Sequence, residues 1–222
     1  MASRHEEKYI IDYRQYLTIK NRVMSVLTPD RNGIGGSYVI TSLYYDDHLD
    51  SALKEKLDGL PEHSKFRVRT YNFSDQVIKL ERKDKHGIIT EKSAVTIARE
   101  QISLLGEKTL GEPSSAAFEL SVQMRAAGLH PTIAVRYTRD AFFYEGADLR
   151  ITFDTNVEAI RPDQEALFDP MVSGVPVLGG NSVIMEIKYG SYLPAFARKL
   201  TSAGGKQLSV SKYALCRERF II

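Results

Sequence analysis

The sequence predicts an α+β fold built on an antiparallel sheet. Three observations predict it. Apolar and polar residues alternate with the period of a strand through much of the first half of the chain,. Helical stretches interrupt those strands singly, instead of following them as a block,. No Pro-, Gly- or Ser-rich linker separates two cores, so one domain spanning 1–222 is expected,.

The elements follow in order. Residues 4–12 alternate weakly, and 15–27 carry Leu17, Val23, Met24 and Leu27 at helical spacing,. Residues 38–46 form a Val-, Ile- and Tyr-rich strand,. A short charged helix at 49–57 stops near Gly59 and Pro61,. Strands at 64–72, 76–84 and 87–95, joined by short polar turns, read as a meander,. Helices are expected at 97–105 and 114–127, the second ending at Gly128,. Strands return at 132–139, 142–145, 149–154 and 183–189, with helices at 193–203 and 211–219. Residues 162–181 read as loops with one short strand.

Composition narrows the function. Hydrophobic residues make up 43% of 222, enough for a core, which excludes a disordered chain,. Thirty Lys and Arg against 28 Asp and Glu leave a net charge of +2. An anion site must therefore come from local sorting of charge, and no nucleic-acid motif is present,. The lone Cys216 cannot form a disulfide within the chain,. The N-terminus has no apolar signal segment and no stretch suits a membrane span, so a cytoplasmic protein is expected,.

The alternating faces carry the functional signal. Residues two apart in a strand share a face. Lys65, Arg67 and Arg69 share one, with Phe66 and Val68 on the other. Lys79, Glu81 and Lys83 oppose Ile78 and Leu80. Glu6 and Lys8 oppose Tyr9 and Ile11, and Glu186 and Lys188 oppose Met185 and Ile187. Any one such strand is an ordinary surface strand. Together, with apolar faces turned to the helices, they would close into a barrel lined by cations and a few carboxylates. Arg forks and Lys point charges suit phosphate, and carboxylates suit a hard divalent metal.

In order along the chain stand Arg4-His5-Glu6-Glu7-Lys8-Tyr9, Ser42-Leu43-Tyr44-Tyr45-Asp46-Asp47 and Lys65-Phe66-Arg67-Val68-Arg69-Thr70-Tyr71. They are followed by Leu80-Glu81-Arg82-Lys83, Val135-Arg136-Tyr137, Arg150-Ile151-Thr152-Phe153-Asp154, Met185-Glu186-Ile187-Lys188-Tyr189 and Ser211-Lys212-Tyr213. This ordered set resembles the VTC polyphosphate polymerase domain of the CYTH, or triphosphate tunnel metalloenzyme, superfamily. The resemblance is to a stand-alone bacterial type, without the sensor domain and membrane helices of the eukaryotic enzyme. It implies an antiparallel tunnel barrel with a charged interior flanked by helices. Two departures stand out. Arg4 takes the place of the first Glu of the hydrolase branch's Glu-x-Glu-x-Lys, and Ser209 stands where the eukaryotic polymerase has Lys.

The resemblance implies transfer of the ATP γ-phosphoryl group to a growing inorganic polyphosphate chain, with release of ADP. The nucleophile is an anionic phosphate oxygen and needs no strong base, so positioning and charge neutralisation carry the reaction. Lys8, Arg67, Arg69 and Lys188 are the catalytic set it implies. Lys83, Lys92, Arg136, Arg150, Ser211 and Lys212 are the further phosphate contacts. Glu186 is the first choice of ligand for Mn²⁺ or Mg²⁺, ahead of Glu81 and Glu6. A product crossing a membrane would need a membrane-protein partner. The alternatives are a triphosphatase on the same fold and a non-catalytic polyphosphate- or nucleotide-binding module.

Other signals are set aside. Asp46-Asp47-His48-Leu49-Asp50 matches a prenyl-diphosphate string but reads as a strand end and helix cap,. Asn32-Gly33-Ile34-Gly35-Gly36 precedes a strand, so it is no nucleotide loop,. The five histidines lack metal-site spacing,. Cys216, Tyr44 and Tyr45 are expected to be structural.

Overall fold

Alternation that buries one face and charges the other fixes the strands. The computed structural model describes residues 5–87, 89–202, 206–207 and 210–220, so the expectations at Arg4 and Ser209 lie outside the described residues. In chain order the elements are β1 (His5–Asp12), α1 (Tyr13–Met24), β2 (Thr28–Pro29), β3 (Ser37–Asp46), α2 (Ser51–Leu57), β4 (Glu62–Tyr71) and β5 (Ser74–His86). Then come β6 (Ile89–Ile97), α3 (Ala116–Ala126), β7 (His130–Tyr144), β8 (Leu149–Ile160), β9 (Val175–Pro176), β10 (Ser182–Tyr189), α4 (Ala195–Thr201), β11 (Lys206–Gln207) and α5 (Lys212–Glu218). The strands pair in the order β11-β1-β10-β8-β7-β3-β4-β5-β6, with β2 on β7 and β9 on β8. The mostly antiparallel sheet with flanking helices agrees with the sequence reading. The hydrogen-bonded path is open, however: among the described residues β11 and β6 do not pair with each other.

The chain forms two compact units. The first takes the described residues of Met1–Val39, Tyr137–Val157 and Leu178–Ser211. The second takes those of Ile40–Arg136, Glu158–Val177 and Lys212–Ile222.

In the first unit, α1 starts two residues earlier than expected. Asp12 accepts from the Gln15 amide at 2.8 Å, and the Gln15 side chain accepts from the Asp12 amide at 2.9 Å, a capping box,. The buried stripe is Tyr16, Ile19, Val23 and Leu27, while Leu17 and Met24 face solvent. Leu17 and Met24 share a face beside that stripe, so the helix that buries Tyr16, Ile19 and Val23 leaves them in solvent,. The stripe packs with Ile11, Phe142, Ile151, Phe153, Met185 and Ile187, the apolar sides of β1, β7, β8 and β10.

Strand β7 is one strand where two were expected. A break was expected at 140–141, but Asp140 and its neighbour Arg139 are buried in partnerships. Arg139 gives Asp154 two hydrogen bonds, of 2.7 and 2.8 Å. Asp140 accepts from the Tyr16 hydroxyl at 2.6 Å and from Lys20 at 2.8 Å.

In the second unit, Leu43, Tyr45, Phe66, Val68, Ile78 and Leu80 form one sheet face. They bury against Ile102 of a short 3-10 turn over Arg99–Leu104, against Leu105 just after it, and against Leu120 and Met124 of α3. The turn replaces the expected helix at 97–105. Gly128, at φ +61°, follows α3 as expected,. The β4–β5 hairpin turns on Asn72 and Phe73, both at positive φ, which suits the twist of an antiparallel pair,. Asp46 and Asp47 end β3 and bind amides of the following segment, as the cap reading of the acidic string expected.

Asp154→Asn should destabilise the protein by about 3–5 kcal/mol, because it strands the buried Arg139 guanidinium. Urea unfolding checks this, and an unchanged midpoint would contradict it.

Candidate functional site

Each unit carries its own charged sheet face, built by strand register. In the first unit, Glu6 lies opposite Lys188 and Lys8 opposite Glu186, while Glu186 faces Thr152 and Lys188 faces Arg150 on β8. Opposite charges therefore alternate between β1 and β10, the favourable cross-strand arrangement, whereas Lys188 and Arg150 are like charges across from each other,. Lys8 bridges Glu6 at 2.6 Å, and Lys188 bridges Glu186 at 2.5 Å and Glu6 at 3.6 Å. Arg150 lies 3.5 Å from Asp30 and donates to the Tyr38 hydroxyl at 3.0 Å. Tyr38 donates to Asp30 at 3.0 Å. Burial, largest of the causes, pushes the Tyr38 phenol up to about 12, so it remains a hydrogen-bond donor at neutral pH.

In the second unit the face is more cationic. Tyr44, Arg67, Glu81 and Ala94 form one cross-strand row; Ser42, Arg69, Lys79 and Thr96 form the next; Lys65, Lys83 and Lys92 form a third. Glu81 is the hub. Its carboxylate takes Arg67 Nε and Nη2 at 2.7 Å each, lies 3.8 Å from Arg69 and 2.5 Å from Lys92. Burial alone would raise its pKa. Arg67, Arg69 and Lys92 outweigh that and lower it to about 2. Lys92 is itself lowered, chiefly by burial.

Arg67 also donates to the Tyr44 hydroxyl at 2.8 Å, and Arg69 donates to Ser42 at 3.1 Å. The Tyr44 ring lies 5.0 Å from the Tyr213 ring of α5. Tyr213 donates to Asp46 at 2.6 Å. So Asp46 fixes Tyr213, Tyr213 flanks Tyr44, and Tyr44 orients Arg67.

The predicted residues thus fall into two groups. Glu6, Lys8, Arg150, Glu186 and Lys188 gather in the first unit. Arg67, Arg69, Glu81, Lys83 and Lys92 gather in the second. Arg136 has a different setting. Its guanidinium donates to the carbonyls of Ala166, Asp169 and Val172 at 2.9, 3.0 and 2.8 Å, and it stacks over Phe73. Its donors fasten a loop. Ser211 precedes α5, and Lys212 is the first residue of that helix. Sequence reasoning missed Asp30 and Tyr38, and it took Tyr44 as merely structural. The alternation of Ser42, Tyr44 and Asp46 on β3 was the available signal for Tyr44.

Among the described residues, no group of three or more His, Cys, Asp or Glu is placed to hold a metal ion. Mg²⁺ sites commonly use one or two carboxylates and let phosphate oxygens and waters complete the shell. Glu6 and Glu186 fit that donor set, because they share a face and are joined through Lys188. Beside Glu186, the Thr152 hydroxyl is buried without a hydrogen-bond partner among the described residues, a further polar atom for a bound anion or its waters. Glu81 fits less well, being surrounded by three cations.

Cationic sheet faces organised around a few carboxylates have the chemistry to bind phosphate. The fold is shared with solved structures. The PH1819 protein of Pyrococcus horikoshii OT3 is 16% identical, with a TM-score of 0.51 over 97% of this chain and 99% of that one. A candidate adenylate cyclase of Bacillus halodurans is 14% identical, with a TM-score of 0.53 over 99% and 100%. No curated protein matches the chain. The VTC domain family matches residues 3–221, and the chain belongs to that family. Its function is accordingly polyphosphate- or triphosphate-related. Among the described residues, no helix is long and apolar enough to cross a membrane.

Because the pKa of Glu81 is depressed from 4.5 to about 2, its ion pairs contribute stability that is complete above about pH 4.5,. That contribution is lost as pH falls from about 4.5 toward about 2. Glu81→Gln should therefore flatten the acid limb of stability against pH, read by urea unfolding. Parallel acid limbs in the variant and wild type would refute the hub assignment.

Proposed function

We propose that the chain is a polyphosphate polymerase, transferring the γ-phosphoryl group of ATP to an inorganic polyphosphate acceptor and releasing ADP. The observation that carries this reading is the concentration of Arg67, Arg69, Lys83 and Lys92 about the single carboxylate of Glu81. Both substrates are polyanions, and their mutual repulsion is the first obstacle to bringing them together.

The nucleophile, a terminal phosphate oxygen, is already anionic. The protein must therefore supply orientation and positive charge at the transferring group, not a base. Arg67 and Arg69 are the forks that orient nucleotide phosphates, with Glu81 and Tyr44 holding Arg67 in place. Lys8 and Lys188 supply mobile point charges, and Arg150 a further fork. Their carboxylate partners Glu6 and Glu186 keep them placed until phosphate arrives. Glu186, with Glu6, would hold Mn²⁺ or Mg²⁺, which neutralises charge on phosphate oxygens when bound. The role of Lys212 is that of a wall contact. VTC membership, and the absence of any need for a catalytic base, favour polymerase over triphosphatase.

Purified protein incubated with ATP and Mn²⁺ should yield a polyphosphate ladder on a gel with matching ADP. Free phosphate without a ladder would replace this reading with hydrolysis, and no turnover would replace it with binding alone. Arg67→Lys and Lys188→Ala should each lower synthesis by about 10²-fold or more. Full activity in either variant would remove that residue from the assignment.

A further inference from the structure

Lys65, on the cationic face of the second unit, is not absorbed by the roles above. Lys65 stands on β4 in line with Arg67 and Arg69, and on neighbouring strands it lies directly across from Lys83, which lies across from Lys92. Three lysines in one cross-strand row repel one another. Of the three, Lys92 turns toward Glu81, which Arg67 already engages and Arg69 approaches. Lys65 is held at a defined place: its Nζ lies 5.3 Å from the centre of the Tyr213 ring, and Asp46 anchors Tyr213 through its hydroxyl,.

The rows differ in kind. The Arg67 and Arg69 rows present guanidinium forks, which fix a phosphate in one orientation. The Lys65 row presents ammonium groups on flexible stems, which attract phosphate without dictating its orientation. A nucleotide has a defined end and suits the forks. A chain of equivalent phosphates, which must advance by one unit with each addition, suits the lysines. Along β4 the ladder from Arg69 to Lys65 is about 13 Å long at the backbone.

We infer that Lys65, with Lys83, forms an acceptor-chain subsite that selects long polyphosphate over short. The inference rests on the polyphosphate reading above and adds a residue and a specificity to it. Tyr213 is the positioning residue for Lys65.

The test compares tripolyphosphate with long-chain polyphosphate by calorimetric titration at fixed ionic strength, using wild type, Lys65→Ala, Lys65→Gln and Lys65→Arg. Loss of one charged contact should weaken long-chain binding about tenfold more than tripolyphosphate binding in the Ala and Gln variants. The Arg variant should recover most of it. The Gln variant retains much of the stem, so it keeps the test valid if the Ala variant melts early. Equal weakening of both ligands, or no weakening, overturns the subsite. A wild-type protein that binds polyphosphate of neither length overturns the underlying polyphosphate reading instead.

Discussion

Arg67 and Arg69 stand two residues apart on one face of β4, with Lys65 next in line, and across from them lie Lys79 and Lys83. A sheet brings directly opposed side chains within about 5 Å of each other, so such a face repels itself unless a countercharge is placed within it. Glu81 is that countercharge, and its carboxylate touches Arg67 and Lys92 and approaches Arg69. Much of the second unit is arranged to make this arrangement hold. The reverse face supplies Val68 and Leu80, both fully buried, which pin the same strands from behind. Register therefore cannot slip by one residue without exposing that core and burying the charges.

The first unit meets the same constraint differently. Glu6, Lys8, Glu186 and Lys188 alternate in sign on two strands, so charge is balanced pair by pair. The pairs made by Glu6 are partly exposed and individually weak, whereas Glu186 is buried beneath Lys188,. Weakness has a use here, since a lysine lightly held by a glutamate can exchange it for phosphate at small cost. Arg67, with its fork on a buried carboxylate and a further donor on Tyr44, is a fixed group by comparison. Two grades of cation, exchangeable and fixed, follow from how each carboxylate is shared.

Much of this was legible in the sequence. Side-chain alternation is a property of the backbone, so the faces carrying Arg67, Glu81, Glu186 and Lys188 could be read without coordinates. The hub role of Glu81 could not, because it depends on the register that sets Arg67 across from it and on the reach of Lys92 from the next strand. The break expected at 140–141 was wrong for a related reason: Asp140 reads as a strand end when its partners, Tyr16 and Lys20, are distant in sequence. Helix α1 starts two residues earlier than expected because Asp12 and Gln15 form a capping box,.

Arg136, Arg139 and Arg150 lie close in sequence and look alike as candidate phosphate ligands, yet their surroundings give them different work. Arg139 is buried, and its guanidinium forks onto Asp154. The opposite charge holds its pKa well above the ordinary value, although burial opposes this most strongly. Arg136 gives its terminal donors to backbone carbonyls and is lowered by burial. Arg150 meets Asp30, the Tyr38 phenol and the face of the Phe143 ring, and its Nε, like that of Arg136, is buried without a partner among the described residues. Arg139 is thus a structural cross-link and Arg136 a loop fastener, whereas Arg150, partly exposed, holds Asp30 and Tyr38 through one terminal nitrogen. The sign of a side chain can be read from a sequence, but its uncommitted hydrogen-bonding capacity depends on which distant groups the fold brings to it.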